Sequence, residues 1–220
     1  MEWKKTASKL LDLLYPPHCI FCGAALPAGV SVCGECDRSI AFANTVRRMN
    51  LGEKGKDILC MAPYFYQGKV RDSMKEFKFR GHKEFAKFYA EAISRQLKGE
   101  PGFHADIITA VPISKKRMAE RGYNQSELIA RELSRLLRLP YCCCLKKIKE
   151  NKIQHSLNQE QRFENVRGVY APLCVERIKS REVLLVDDIV TTGATLLECS
   201  KILLAVGAEM VVCAAAASAG

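Results

Sequence analysis

The sequence predicts an α/β fold in which a mostly parallel sheet is flanked by helices, with a small metal-binding lobe at its N-terminal end. Three observations lead there. From residue 58 onward, short apolar runs suited to buried strands alternate with stretches whose apolar residues recur at helical spacing. One of those runs, 183–186, ends in two adjacent acids followed by a threonine-rich turn with a glycine. Near the N-terminus, two Cys-x-x-Cys pairs stand ten residues apart in a segment too short to bury a core of its own.

Residues 1–14 place Trp3, Ala7, Leu10, Leu11 and Leu14 on one helical stripe, which Pro16 and Pro17 end. The cysteine pairs follow. Residues 37–57 are polar and turn-rich and read as a linker, so the expected organisation is an N-terminal helix and cysteine lobe over 1–45 and a main domain over 58–220. The apolar and aromatic stretch 58–66 reads as the first strand. Residues 69–97 read as helix, broken at Gly81. A repeating unit comes next: a buried strand over 107–111, a loop over 112–123, and a helix reaching Leu139, with Leu128, Ile129, Leu133, Leu136 and Leu137 as its apolar stripe and Pro140 closing it. Residues 141–145 suggest a second strand and 146–165 a long polar segment. The run 183–186 is the third strand, 196–206 its helix with Gly207 as cap, and 210–216 the last strand.

With 220 residues the chain is long enough for one good core and a small appendage. No apolar run reaches the roughly 18 residues of a membrane span, and the best candidate, 210–217, is short and alanine-rich. Lys4 and Lys5 before the leucines loosely imitate a signal peptide, but Asp12 interrupts the apolar stretch and the two prolines replace a cleavage site, so a retained helix and a cytoplasmic protein are expected. Of eleven cysteines, Cys60, Cys142, Cys143, Cys144, Cys174, Cys199 and Cys213 lie in or near apolar runs without a disulfide framework, which fits a reducing compartment. The net charge of +10 favours a polyanionic ligand, with solubility as the simpler account.

Cys19, Cys22, Cys33 and Cys36 supply the four thiolates of a tetrahedral structural zinc site, each pair spanning one tight turn. A redox dithiol is the alternative. Neither pair sits in a thioredoxin-like unit, and His18 is not needed as a ligand. Such a zinc leaves no open position, so its role is folding rather than catalysis.

Where the strand over 183–186 emerges, Asp187 and Asp188 stand at the edge where open α/β sheets bind ligands. Ionised carboxylates there are strong acceptors for the vicinal hydroxyls of a ribose; ordinary strand-end acids are the plainer reading. Thr191, Thr192, Gly193, Ala194 and Thr195 combine three hydroxyls with a glycine and open into a helix, whose free amides and dipole form an anion site.

The block from Val183 to Thr195 as a whole resembles the signature of type I phosphoribosyltransferases. That resemblance implies Asp187 and Asp188 for the ribose, and Val190, Thr191, Thr192, Gly193, Ala194 and Thr195 for the 5-phosphate of phosphoribosyl pyrophosphate (PRPP) bound with magnesium. Further motifs narrow it: the Cys19/Cys22 pair after two prolines, Tyr66-Gln-Gly-Lys-Val-Arg71, Phe77-Lys-Phe-Arg-Gly81, Val111-Pro112, Arg121-Gly-Tyr-Asn124-Gln125, and Gln154-His-Ser-Leu157 with Arg162 and Asn165. Together they resemble the ComF family, zinc-finger phosphoribosyltransferase-like proteins associated with DNA uptake in natural competence. The resemblance implies Lys115, Lys116, Arg117 and Arg121 near the pyrophosphate, and Gln154, Arg162 and Asn165 in a segment that closes over the site; a flexible, soluble loop and a surface loop without a role are the respective plainer readings. It also departs from the family: Lys146 or Lys147 stands where an arginine is usual, and only two Cys-x-x-Cys pairs are present where many relatives show more.

Residues 69–87 interleave Lys69, Arg71, Lys75, Lys78, Arg80, Lys83 and Lys87 with Phe77, Phe79, Phe85 and Phe88. Such interleaving suits single-stranded DNA, whereas helical spacing suits core aromatics with a solvated basic face. The implied function is therefore a PRPP- or ribose 5-phosphate-binding transferase-type protein of DNA uptake. Its rivals are a non-catalytic single-stranded DNA-binding competence factor and a structural adaptor with DNA-uptake proteins as partners.

Overall fold

Branched and small apolar residues dominate the central strands because both faces of those strands are covered. The computed structural model describes residues 17–51, 57–150 and 159–219. Its elements in chain order are α1 (Gly34–Ser39), β1 (Thr45–Met49), β2 (Ile58–Ala62), β3 (Tyr64–Phe65), α2 (Gly68–Phe79), α3 (Phe85–Gly99), β4 (Ile107–Ala110), α4 (Lys115–Arg121), α5 (Gln125–Leu137), β5 (Leu145–Lys147), α6 (Gln159–Val166), β6 (Tyr170–Pro172), β7 (Glu182–Val190), α7 (Ala194–Ala205) and β8 (Met210–Ser218). The main sheet has the order β1-β2-β8-β7-β4, with β3 beside β8. Strands β2, β3, β8, β7 and β4 run parallel, and only β1 is antiparallel to its neighbour.

Strand alternation separates two cores. Leu184 and Val186 of β7, Val212 and Ala214 of β8 and Ile108 of β4 face one layer, with Met74 and Phe77 of α2, Tyr89 and Ile93 of α3, and Ile129 and Leu133 of α5. Val183, Leu185, Val211 and Cys213 face the other, with Leu196, Cys199 and Leu203 of α7 and Leu145 and Tyr170 of the β5–β6 hairpin. Each fully buried large aliphatic side chain contributes roughly 1.5–3 kcal/mol. The cysteine lobe has no separate core: Cys19, Ile20, Phe21 and Cys36 are buried in the first layer, where the Phe21 ring meets Phe88 and Tyr64 edge-on at 5.5 and 6.1 Å.

Several elements differ from the sequence expectation, each for a local reason. The stretch 37–57, read as a linker, contains the end of α1 and the edge strand β1; Arg47 and Arg48 lie within that strand, and charges on an edge strand imitate a linker. The loop over 112–123 contains α4, capped by the Ser114 hydroxyl accepting from Arg117 N at 3.3 Å and ended by Gly122 at φ +74°. None of its seven residues is buried, so it leaves no apolar stripe. The strand expected over 141–145 is a single bridge from Tyr141 to Ile108, after which Cys144 N donates to the Thr109 hydroxyl at 3.1 Å instead of extending the ladder. The chain then forms β5, which pairs antiparallel with β6 off the main sheet. The polar segment 146–165 thus begins in β5 and ends in α6, and β7 runs through both acids to Val190. Among the seven apolar-context cysteines, Cys143 and Cys174 are exposed. The expected helix over 1–14 lies outside the described residues, as does Gln154.

Candidate functional site

At the carboxyl end of β7 the two acids have different surroundings. Asp187 Oδ1 accepts from the Ser126 hydroxyl at 2.9 Å and from Asp188 N at 2.8 Å. Burial, then the neighbouring Asp188 charge, push Asp187 up to about 7; its two hydrogen bonds and the Lys78 charge oppose that rise. Asp188 pairs with Lys78 of α2, Nζ to Oδ2 at 2.9 Å, with both side chains less than one-fifth exposed. Asp187 therefore rests on α5 and Asp188 on α2.

The loop that follows is held from an unexpected side. The Arg47 guanidinium of β1 donates to the Thr191 carbonyl at 2.6 Å. Gly193 has φ +81°, and a Cβ placed there would lie 2.6 Å from Met49 Sδ, so the close approach of β1 and the backbone conformation both call for glycine. Ala194 N meets the Thr192 hydroxyl at 3.4 Å as α7 begins. The result is a cradle of backbone amides and hydroxyls at the start of a twelve-residue helix.

Acids and loop line one cavity of about 430 Å³. Val190, Thr191, Thr192, Gly193, Ala194 and Thr195 all lie on its wall, as do Arg117 and Arg121. Lys75, Lys78 and Lys147 also line it, so five cations face two carboxylates. Arg121 donates to Gln125 Oε1 at 3.0 Å and lies over the Phe79 ring at 5.0 Å, and its burial lowers its pKa. Burial, then the Arg117 charge, likewise lower Lys147, one of the two lysines at the position where the resemblance has an arginine. This arrangement can neutralise an anion of several charges beside a group that offers hydroxyls to the acids.

The other expected residues fall elsewhere. Lys115 and Lys116 are exposed on α4 and do not line the cavity. Asn124 caps α5, its side chain accepting from Ser126 N and donating to the Val111 carbonyl. Gln125 reaches the Phe77 and Lys78 carbonyls at 3.4 Å, and the Tyr123 hydroxyl also donates to Phe77 O. Asn124 thus ties α5 to the end of β4, and Gln125 holds α2 and Arg121; neither lines the cavity. Arg162 and Asn165 lie on α6, not on the cavity wall, and both have partners. Lys78, Ser126, Tyr66 and Tyr170 also line the cavity with no local sequence signal of a site role, although Lys78 sits in the basic stretch and Tyr66 opens one of the motifs. Of the interleaved phenylalanines, Phe77 and Phe85 are core, while Phe79 is 68% exposed at the cavity mouth.

The second cluster is Cys19, Cys22, Cys33 and Cys36, whose sulfurs all lie within 4.8 Å of one another. Cys22 and Cys33 Sγ are 3.7 Å apart, close to the roughly 3.8 Å edge of a tetrahedron with Zn–S bonds of about 2.3 Å. Backbone amides from Cys33, Phe21 and Cys22 overcome the burial of Cys19 and bring it down to about 6, whereas burial, then Cys22 and Cys33, push Cys36 up to about 12. A dication removes that mutual penalty, and Lys69 Nζ at 3.4 Å from Cys36 Sγ offsets part of the remaining negative charge. The four residues fit a structural zinc. The second pair heads α1, with the Cys33 side chain as N-cap.

Comparison with known proteins agrees with this division. Residues 10–53 match the family model described as a double zinc ribbon domain, and residues 124–220 match the phosphoribosyl transferase domain. Among the described residues there is one four-cysteine cluster. Competence protein F of Haemophilus influenzae is 28% identical over 200 residues, covering 88% of this chain and 81% of that protein. Competence protein ComFC of Bacillus subtilis is 28% identical over 196 residues, covering 86% and 72%. DNA utilization protein YhgH of Escherichia coli K12 is 33% identical over 107 residues, covering 48% and 46%.

Proposed function

Because the chain belongs to the ComF family of competence protein F, ComFC and YhgH, with a zinc-ribbon part and a phosphoribosyltransferase part, we propose that it binds PRPP or a related ribose 5-phosphate in the cavity at the end of β7, in the service of DNA uptake. One observation carries this reading: Asp187, Asp188 and the Thr191–Thr195 cradle share a single cavity with Lys78, Arg117 and Arg121. The cradle takes the 5-phosphate through backbone amides and threonine hydroxyls. Asp187 and Asp188 accept hydrogen bonds from the two ribose hydroxyls, and the cations offset the diphosphate charge.

Transfer, where an acceptor is present, breaks the C1–O bond with its electron pair leaving on pyrophosphate, while a lone pair of the acceptor forms the new bond to C1. In this reading Arg117 and Arg121, which line the same cavity, stabilise the departing charge. Magnesium accompanying the diphosphate would supply further neutralisation. Incubating the protein with PRPP and magnesium should raise its melting temperature, and pyrophosphate release should then appear with one member of an acceptor panel. No shift with PRPP would contradict binding; a shift without release for any acceptor would leave binding without transfer.

A second reading, a non-catalytic single-stranded DNA-binding factor, is favoured by the exposed Phe79 ring beneath the Arg121 guanidinium, on the same wall as Lys75, Lys78 and Arg117. A base can stack on such a ring while the cations follow the backbone. Single-stranded DNA that competes with PRPP in the absence of pyrophosphate release would favour it.

A further inference from the structure

The four sulfurs of the cysteine cluster are not served alike. Cys22 is exposed, so water can reach its sulfur. Cys19 Sγ accepts from Cys33 N and Cys33 Sγ from Cys36 N, each at 3.4 Å, and both donors belong to the lobe's own backbone. Cys36 is fully buried, and a donor reaches it from outside the lobe: Lys69 Nζ of α2 lies 3.4 Å from Cys36 Sγ. A buried thiolate is costly unless a charged or hydrogen-bonding partner replaces the solvent it has lost.

Lys69 is oddly placed for a surface lysine. It stands in the first turn of α2, where a cation opposes the positive end of the helix dipole, and no acid occupies that turn to offset it. Two negative groups make the position favourable, the Cys36 thiolate and, at 3.7 Å, the Glu35 carboxylate. The Glu35 side chain is 81% exposed, so that ion pair contributes little, and the weight falls on the sulfur. From Lys69 the helix runs about 13 Å to Lys78, whose Nζ meets Asp188 Oδ2 at 2.9 Å. Between the two lysines, Val70, Met74 and Phe77 bury the inner stripe of α2 in the same core as Cys19 and Cys36. The motifs over 66–71 and 77–81 thus each supply one lysine, the first to a cysteine of the cluster and the second to a cavity acid.

We infer that Lys69 is a positioning residue of the metal centre, donating a charge-assisted hydrogen bond to the Cys36 thiolate, and that this contact fastens the N-terminal end of α2 to the lobe. The inference rests on the reading of the four cysteines as a zinc site. Four thiolates around a dication leave an excess of negative charge, which the ammonium lowers at the one fully buried sulfur, and such partners of a ligand tune how tightly the metal is held. Loss of the contact frees the end of α2 that leads to Lys75 and Lys78.

Competition for zinc with a chromophoric chelator, on the full chain, tests the contact. Lys69→Met should hold zinc roughly ten-fold less tightly than the wild type, the lower end of what partners of metal ligands contribute. Lys69→Arg keeps a cationic donor and should retain most of the affinity, whereas Glu35→Gln removes only the exposed pair and should change nothing. In cobalt-substituted protein, Lys69→Met should move the sulfur-to-metal charge-transfer band to longer wavelength, because a sulfur without its donor gives up electron density more readily; loss of packing alone would leave the band in place. With zinc bound, Lys69→Met should also raise hydrogen exchange over 68–79. Equal zinc affinity in Lys69→Met and wild type, an equal loss in Glu35→Gln, or an unmoved band would overturn the role of Lys69. Unchanged exchange over 68–79 would overturn the fastening of α2 even where affinity falls. Wild-type protein that takes up no zinc would sink the metal reading itself, and this inference with it.

Discussion

Asp187 is a carboxyl group under opposing demands: in the proposed role it would accept ribose hydroxyls best when ionised, yet burial and Asp188 raise it to about 7 from an ordinary 3.8. Because the folded value lies above the unfolded one, the folded protein holds the extra proton between these limits. Its stability contribution is thus present at low pH and is lost as pH rises from about 4 to about 7. Asp187→Asn should remove that pH dependence and raise the melting temperature at pH 8, because Asn Oδ1 can still accept from Ser126 and Asp188 N. Thermal melts from pH 5 to 8 check this; a variant less stable than wild type at pH 8 would contradict it. Ribose phosphate affinity should move the other way, rising in the wild type as pH passes through about 7 and staying weak in the variant. A neighbouring pair is structural in a different sense. Breaking Lys78 from Asp188, both largely buried, leaves an uncompensated carboxylate, so Lys78→Met should destabilise more than removal of an exposed pair such as Arg80 with Glu76.

At the scale of elements, the loop proposed to hold the phosphate belongs to β7 and α7 in sequence but is braced by β1 in space. Arg47→Ala frees the Thr191 carbonyl and should weaken ribose 5-phosphate binding several-fold, with little loss of melting temperature. Gly193→Ala must adopt a left-handed backbone against Met49, at about 1–2 kcal/mol, and should lower both affinity and melting temperature. These variants test the brace, since binding unchanged in Arg47→Ala would show that the loop stands alone. The zinc lobe makes a parallel case: one zinc per chain is expected by metal analysis. Cys22→Ser should raise hydrogen exchange over 17–40 while β7 and β8 stay protected, because the sheet has its own two cores. What was legible in the sequence follows from the same contrast. Central strands, α5 and α7 announce themselves through buried runs and stripes, and the acids and threonines form a contiguous block. By comparison, β1 and α4 bury almost nothing, so they carry no periodic signal, and Arg47, Met49, Lys78 and Ser126 reach the site only through packing of distant segments. Asn124 and Gln125 show the opposite case. They are polar residues inside a site-like motif, but Asn124 satisfies the Val111 carbonyl after β4 and Gln125 the Phe77 and Lys78 carbonyls of α2.

For the whole molecule, the net charge of +10 has a direction. Lys75 and Lys78 of α2 line the same cavity as Arg117 and Arg121 of α4, and Lys115 and Lys116 are exposed on that same helix. Single-stranded DNA that follows this path should bind with little sequence preference and lose affinity steeply with salt. Replacing Lys115, Lys116 and Arg117 together should flatten the slope of log affinity against log salt by roughly 0.7 per lost phosphate contact. An identical slope in the variant would remove α4 from any DNA path. No helix among the described residues is long and apolar enough to cross a membrane. The acids, the threonine-rich loop and five cations share one cavity at the end of β7. Calorimetry with ribose 5-phosphate on wild type and on Asp187→Asn/Asp188→Asn protein tests the proposed placement of the sugar there most directly. Saturable binding by the wild type, with a loss of at least roughly ten-fold in the double variant for two charge-assisted hydrogen bonds, is the expected result. Equal affinity in the two proteins, both correctly folded, would contradict the placement of the sugar on these acids.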